Sequence, residues 1–177
     1  MRPMTESEIR ASFVNTSVRE RKAITMPDGF DAIRWDRLDY LGWRDPKSPG
    51  TGYLVLAPAP DAGDDSGEGG GAEPTGIMLR AGAVPARTRP QCALCEDISL
   101  PNEVILFAAR RAGAAGRKGD TVGTLICANF ECSENVRRKP SSAMAGDDPE
   151  RVRRLRIGAL RERVARFVAR VGEPVTR

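Results

Sequence analysis

The residues of this 177-residue chain whose types and spacing could do chemistry are four cysteines, in a sequence with no histidine. Cys92 and Cys95 stand three positions apart in "RPQCALCEDISL"; Cys127 and Cys132 follow, after 31 intervening residues, in "TLICANFECSEN". Zinc takes four soft ligands in a tetrahedron, and Cys-x2-Cys is the shortest arrangement that lets one turn offer two sulfurs from one side. Four protein ligands would close the metal shell, which points to a structural rather than a catalytic ion. Three other readings remain open. Cys127 could be a buried apolar thiol in a core strand. Cys92 and Cys95 could form a redox dithiol, although that motif follows a strand and opens a helix in a βαβ unit, whereas "CALCEDISLPNE" reads as a loop. The four could also form two disulfides, which a reducing compartment opposes.

The elements that must position these cysteines are legible around them. "EVILFAARR" (Glu103–Arg111) and "TVGTLIC" (Thr121–Cys127) read as two strands of a hairpin joined by the Gly/Ala/Lys loop "AGAAGRKGD". A short helix is expected to start near Cys132, where the positive end of the helix dipole favours a thiolate. A knuckle, a hairpin and a cysteine pair straddling a strand-to-helix junction make a treble-clef arrangement, expected over residues 92–139. Upstream, Thr5 with Glu8 three residues later is a capping box opening a helix through about Phe13. An irregular region containing "FDAIRWDRLDYLGWRDP" follows; its "DYLGW" suits a strand entering the turn "RDPKSPG". Gly52–Ala57 and Gly76–Ala81 read as a first hairpin whose turn has been expanded by the segment 58–75. That segment is rich in Gly, Pro and acids and carries no large apolar residue, so it is expected to be a disordered loop. After a linker over 140–148, Asp148 caps and Pro149 opens an amphipathic helix over 149–172. Its apolar residues Val152, Leu155, Ala159, Leu160, Val164, Phe167, Val168 and Val171 recur at helical spacing. The expected class is α+β: small antiparallel sheets, a treble-clef zinc finger and a C-terminal amphipathic helix, with one domain over 1–139.

Composition narrows the function. The hydrophobic share is 40 %, with 18 glycines and 13 prolines, so the ordered core should be smaller than the length implies. There is no run of 18 apolar residues to span a membrane and no signal-peptide core in "MRPMTESEIRASF", so a cytoplasmic protein is expected. The net charge of +4 is unevenly spread: 12 Lys or Arg face 5 Asp or Glu between Arg137 and Arg177, while Asp61–Glu73 holds five acids and no base. Four zinc-bound thiolates would bring the total to about +2. A basic end fits an acidic partner or RNA, and composition alone does not choose between them. Without histidine, and with no clustered acids outside the 58–75 loop, no acid–base or nucleophilic site assembles, so a non-enzymatic role is expected. In "FAARRAGAAGRKGDTVGTLIC" small residues keep the backbone thin while Arg110, Arg111, Arg117 and Lys118 project, as a recognition loop requires. The G-x4-G-K-[ST] order of a phosphate-binding loop is absent.

With "MTESEIRASFVN", "DYLGWRDP", "ILFAARRAGAAGRKGDTVGTLIC" and the Cys-x2-Cys…Cys-x4-Cys frame in view, the chain resembles the FBP-domain proteins. These are similar to the C-terminal treble-clef zinc-finger domain of elongation factor G-binding, FusB-type fusidic-acid-resistance proteins. The resemblance spans roughly Met1 to Lys139. It implies a non-enzymatic protein that binds elongation factor G and helps free it from the ribosome, with the zinc domain as contact surface and Cys92, Cys95, Cys127 and Cys132 as ligands. It further implies that Lys118 lies on the binding surface; Arg110, Arg111 and Arg117 join it by charge, and Phe167 by its apolar ring near the chain end. The expected assembly is a monomer. The alternative is a zinc finger whose arginine-rich end contacts ribosomal RNA, with few aromatic residues near the finger to stack on bases.

Overall fold

The computed structural model describes residues 1–57, 73–82, 90–97, 102–140 and 148–172. Most of the acidic segment and of the linker, 58–72 and 141–147, therefore lies outside the described residues.

Helix α1 (Glu6–Ser12) starts at the capping box read from sequence: the Glu8 N–H donates to Thr5 Oγ1 at 3.2 Å and the Thr5 N–H to Glu8 Oε2 at 2.7 Å. The same device opens α2 (Val18–Ala23), where the Glu20 N–H donates to Ser17 Oγ at 3.2 Å and the Ser17 N–H to Glu20 Oε2 at 2.7 Å. Two single-turn 3-10 helices, Phe30–Ala32 and Trp35–Arg37, lead into the sheet.

Five strands follow: β1 (Leu41–Arg44), β2 (Thr51–Leu56), β3 (Thr75–Gly82), β4 (Val104–Arg110) and β5 (Thr121–Cys127). They form one sheet in chain order, every neighbour antiparallel. The two expected hairpins are thus halves of a single meander, joined where Arg80, Ala81 and Gly82 of β3 oppose Ala108, Phe107 and Leu106 of β4. Between β4 and β5 the expected irregular loop contains a five-residue helix, α3 (Gly113–Arg117). The spacing of its glycines explains this. Gly113 at its start and Gly119 just past its end take positive φ (65° and 95°), and a Cβ on Gly116 would stand 1.7 Å from the Arg111 carbonyl oxygen, so only glycine lets the turn close.

Side chains alternate across a strand, and here both faces are covered. On one face Trp43, Tyr53 and Val55 pack with Ile9 and Phe13. On the other Leu54, Ile77, Leu79 and Phe107 pack with the cysteines and with the long helix α5 (Pro149–Gly172). Double coverage accounts for the unbroken burial of β2 from Thr51 to Val55. A short helix, α4 (Cys132–Asn135), follows β5.

Helix α5 begins at the expected cap, the Arg151 N–H donating to Asp148 Oδ1 at 2.8 Å. Leu160, Val164, Phe167, Val168 and Val171 are its buried face, whereas Leu155 is 62 % exposed. Phe167, expected as an apolar contact for a partner, is instead 4 % exposed within the main core. Its spacing of three and seven residues from Val164 and Leu160 places it on the same stripe, and that stripe faces the sheet.

Candidate metal centre

Three local devices deliver the four cysteines. Cys92 and Cys95 sit on a turn in which the Leu94 N–H points at Cys92 Sγ (3.4 Å) and the Glu96 N–H donates to the Cys92 carbonyl (2.9 Å). Glu96 takes a left-handed φ of 52° to close it. The Ala93 N–H donates to the Leu125 carbonyl at 2.8 Å, fastening this knuckle to β5. Cys127 ends β5 opposite Val104. The chain then turns through Phe130, also left-handed at φ 61°, so that Cys132 opens α4. The Phe130 ring lies flat on the sheet: a Cβ on Gly42 or Gly52 would stand 2.7 or 2.8 Å from it, and the Phe107 ring centroid is 5.0 Å away. Those two glycines give the finger a seat.

The four sulfurs converge. Cys92 Sγ and Cys132 Sγ are 3.6 Å apart, Cys95 Sγ and Cys127 Sγ 3.7 Å, and all four lie within 4.8 Å of one another. A tetrahedron with zinc–sulfur bonds of about 2.3 Å has edges of about 3.8 Å, so the donor set has the right size for such an ion. A disulfide would need about 2.05 Å, and all four thiols are free and buried. The disulfide reading is thereby overturned, and Cys127 is one of the cluster rather than a solitary core thiol. The electrostatics agree. The Cys127 and Cys132 thiols donating toward it hold Cys92 far below the usual thiol range and Cys95 at about 7, while Cys132, beside Cys127 and Cys92, is pushed well up. Crowded thiolates cannot all ionise unless a cation offsets their charge.

A further partner was not anticipated from the sequence. Asn135 is fully buried and directs its Nδ2 at Cys127 Sγ (3.5 Å) and Cys95 Sγ (3.7 Å), one sulfur from each pair. Its only sequence signal is position, one helical turn after Cys132. Around this centre α5 acts as a clamp. Arg156 bonds Asp97 (2.7 Å) beyond the knuckle and the Asn135 carbonyl (3.2 Å) of α4. Arg163 bonds the Leu94 carbonyl (3.2 Å) and pairs with Glu96. Arg161 Nε reaches Asp39 Oδ1 at 2.9 Å, and Arg137 pairs with the same carboxylate, which is fully buried.

The family model described as FBP C-terminal treble-clef zinc-finger matches residues 8–171. The chain belongs to that family. The matched span includes α5 as well as the finger, in keeping with the helix's place in the core. No curated protein and no solved structure matches the chain.

In this FBP-family treble clef, the predicted basic residues gather at the opposite end of the β4–β5 hairpin from the cysteine cluster. Arg110 faces Thr121 at the tip, six residue steps along β5 from Cys127, which is about 20 Å of strand. Arg110 pairs with Glu20 of α2 at 3.0 Å, and Arg111 donates to the Arg170 carbonyl at 2.6 Å. Arg117 ends α3 and Lys118 caps it; both are exposed and neither is ion-paired among the described residues. Arg110, Arg111 and Arg117 line one groove with Ser17 and Glu20. Phe167 is not part of it. No helix is long and apolar enough to cross a membrane among the described residues.

Proposed function

We propose that this chain is a non-enzymatic, zinc-stiffened module that binds elongation factor G and promotes its release from the ribosome. Four convergent cysteine thiolates are a donor set for which zinc is the fitting ion, and it would be held by Cys92, Cys95, Cys127 and Cys132. The observation that carries the partner reading is the hairpin tip. Arg117 and Lys118 stand exposed at the C-terminal end of the short helix α3, with Arg110 at the end of β4 and Arg111 just after it. Bonds to the sheet and to α5 fix this tip, so little conformational freedom is lost when a partner docks. The tip's positive charge suits an acidic protein surface and would speed encounter. The resemblance to elongation factor G-binding proteins supports that factor as the partner. Release needs only a higher affinity for the factor in its freed or rearranged state than in its ribosome-bound one.

The test is direct binding of the zinc-loaded, monomeric protein to purified elongation factor G. Micromolar or tighter binding is expected, with R117E/K118E weaker by at least about tenfold, as for charges at an interface rim. No binding at micromolar concentrations, or full binding by R117E/K118E, would end this reading.

A further inference from the structure

The arginines of α5 divide into two sets. Arg153, Arg156, Arg161 and Arg163 pair with Glu150, Asp97, Asp39 and Glu96. Arg151, Arg154, Arg166 and Arg170 have no acid partner among the described residues. Two of the unpaired ones, Arg166 and Arg170, line a groove of about 350 Å³ between the cysteine knuckle and the C-terminal half of α5. Arg163 lines it as a third guanidinium, its charge shared with Glu96, which is also the groove's one acid. Positions 163, 166 and 170 fall on one helix stripe at steps of about 4.5 and 6 Å. A row of cations along one side of a groove follows a linear polyanion better than it follows a single anion. The groove is separate from the tip: Arg111 and Arg170 meet between the two, the first donating to the second's carbonyl.

We infer that this groove binds the phosphodiester backbone of single-stranded RNA. The absence of exposed rings sets the mode of binding. None of the nine aromatic residues is exposed, and Phe167, the one ring of the groove's lining, is itself buried in the core and offers no free face. Bases therefore find no stacking platform, and contact is limited to backbone. Thr124 is the one hydroxyl residue of the lining, suited to a ribose 2′-OH, which both donates and accepts. The three guanidiniums lie along about 10 Å of one helix, a footprint suited to the backbone of one strand.

The experiment is fluorescence anisotropy of labelled U12 and A12 with the intact zinc-loaded protein. The two oligomers should bind alike, because no base is read. Two neutralised phosphates give a slope of about −1.4 in log K against log salt, so affinity should fall about sevenfold between 50 and 200 mM salt. R166E/R170E should weaken binding at least tenfold and flatten that slope, while R117E/K118E should leave it within about twofold. Elongation factor G binding should show the reverse pattern, so failure of either assignment is visible separately. The inference is overturned if the parent protein fails to bind at low salt, if R166E/R170E binds RNA as the parent does, or if both variant pairs weaken RNA equally. It is also overturned if poly-glutamate competes as well as RNA, which would make the groove a seat for acidic protein instead. Circular dichroism and zinc content of R166E/R170E confirm that a loss is not unfolding; if that variant misfolds, R166Q/R170Q carries the same test with half the change in charge.

Discussion

Replacing Asn135 with leucine separates metal binding from packing. The Asn135 amide sits beside one sulfur of each cysteine pair, at 3.5 and 3.7 Å. Both contacts strengthen when the sulfurs are thiolates holding an ion, because a charged acceptor roughly doubles such a bond. Partners that orient metal ligands are worth about 10- to 100-fold in affinity; these two bonds are long, so the lower part of that range applies, about 1.4–2 kcal/mol. The cost to packing is offset. Asn135 Oδ1 is buried with no hydrogen-bond partner, and an unmet buried acceptor costs about 1–3 kcal/mol, which an apolar side chain of similar size removes. The Asn135 carbonyl keeps its bond from Arg156, since the backbone is unchanged. N135L should therefore fold, with zinc affinity about 10- to 30-fold lower in competition with a chromophoric chelator at neutral pH. N135D, which sets a carboxylate against thiolates, should bind more weakly still. If N135L holds zinc within about twofold of the parent, or N135D equals N135L, the amide does not tune the site and the reasoning fails.

Three further outcomes follow from packing and capping. Phe167→Ala should cost about 3–5 kcal/mol in chemical unfolding if its ring belongs to the core, whereas loss of a surface ring would stay within about 0.5 kcal/mol. Gly52→Ala should cost about 1–3 kcal/mol, because the new Cβ would stand 2.8 Å from the Phe130 ring and 2.9 Å from that of Phe107; Gly50→Ala, with nothing within 4 Å, is the neutral control. The Thr5 backbone N–H, then Arg2 and the Thr5 hydroxyl, lower the Glu8 carboxyl from 4.5 to about 2. A depressed carboxylate stabilises fully above its unfolded value and loses that contribution as pH falls. The stability difference between parent and Glu8→Ala should therefore be constant above about pH 5 and shrink toward pH 2; a difference independent of pH would refute the cap's role.

What the sequence disclosed and what it hid divide along a physical line. The cysteine frame, strands β2 to β5, the α1 cap and the span of α5 are local signals: spacing, alternation, a capping box, a helical period. Helix α2 carried an equally local signal, Ser17 with Glu20, but the segment buries no side chain and so lacked the apolar stripe that marks a helix. The α3 turn was masked because its glycines read as loop punctuation, although Gly116 is there to let a helix close against Arg111. Pairing between β3 and β4 left no trace, since nothing in either strand names its neighbour. The α5 arginines were the least legible. Their spacing shows a charged face, yet Arg156, Arg161 and Arg163 are spent on Asp97, Asp39 and Glu96, at sequence separations of 59, 122 and 67. Only the folded arrangement tells a cation engaged in structure from one left for a ligand.

The same helix answers how a metal at one end of a hairpin can matter at the other. The cysteine cluster and the basic tip are about 20 Å apart along β5, too far for an ion held there to fix the tip directly. Helix α5 touches both. Arg156 grips the knuckle side and α4, and fourteen residues later Arg170 and Val171 accept hydrogen bonds from Arg111 and Ala112 at the root of α3, at 2.6 and 2.8 Å. Fourteen residues of α-helix measure about 21 Å, the length of the strand path beside it. Hairpin and helix are thus two struts of equal span fixed together at both ends, and a pair of struts resists bending where either alone would not. Removing the ion would release the knuckle and α4, the elements that Arg156 and Arg163 hold, and so free one end of the helix strut. The tip would keep its sheet register and its own bonds to Arg170 and Val171, and would lose stiffness rather than shape.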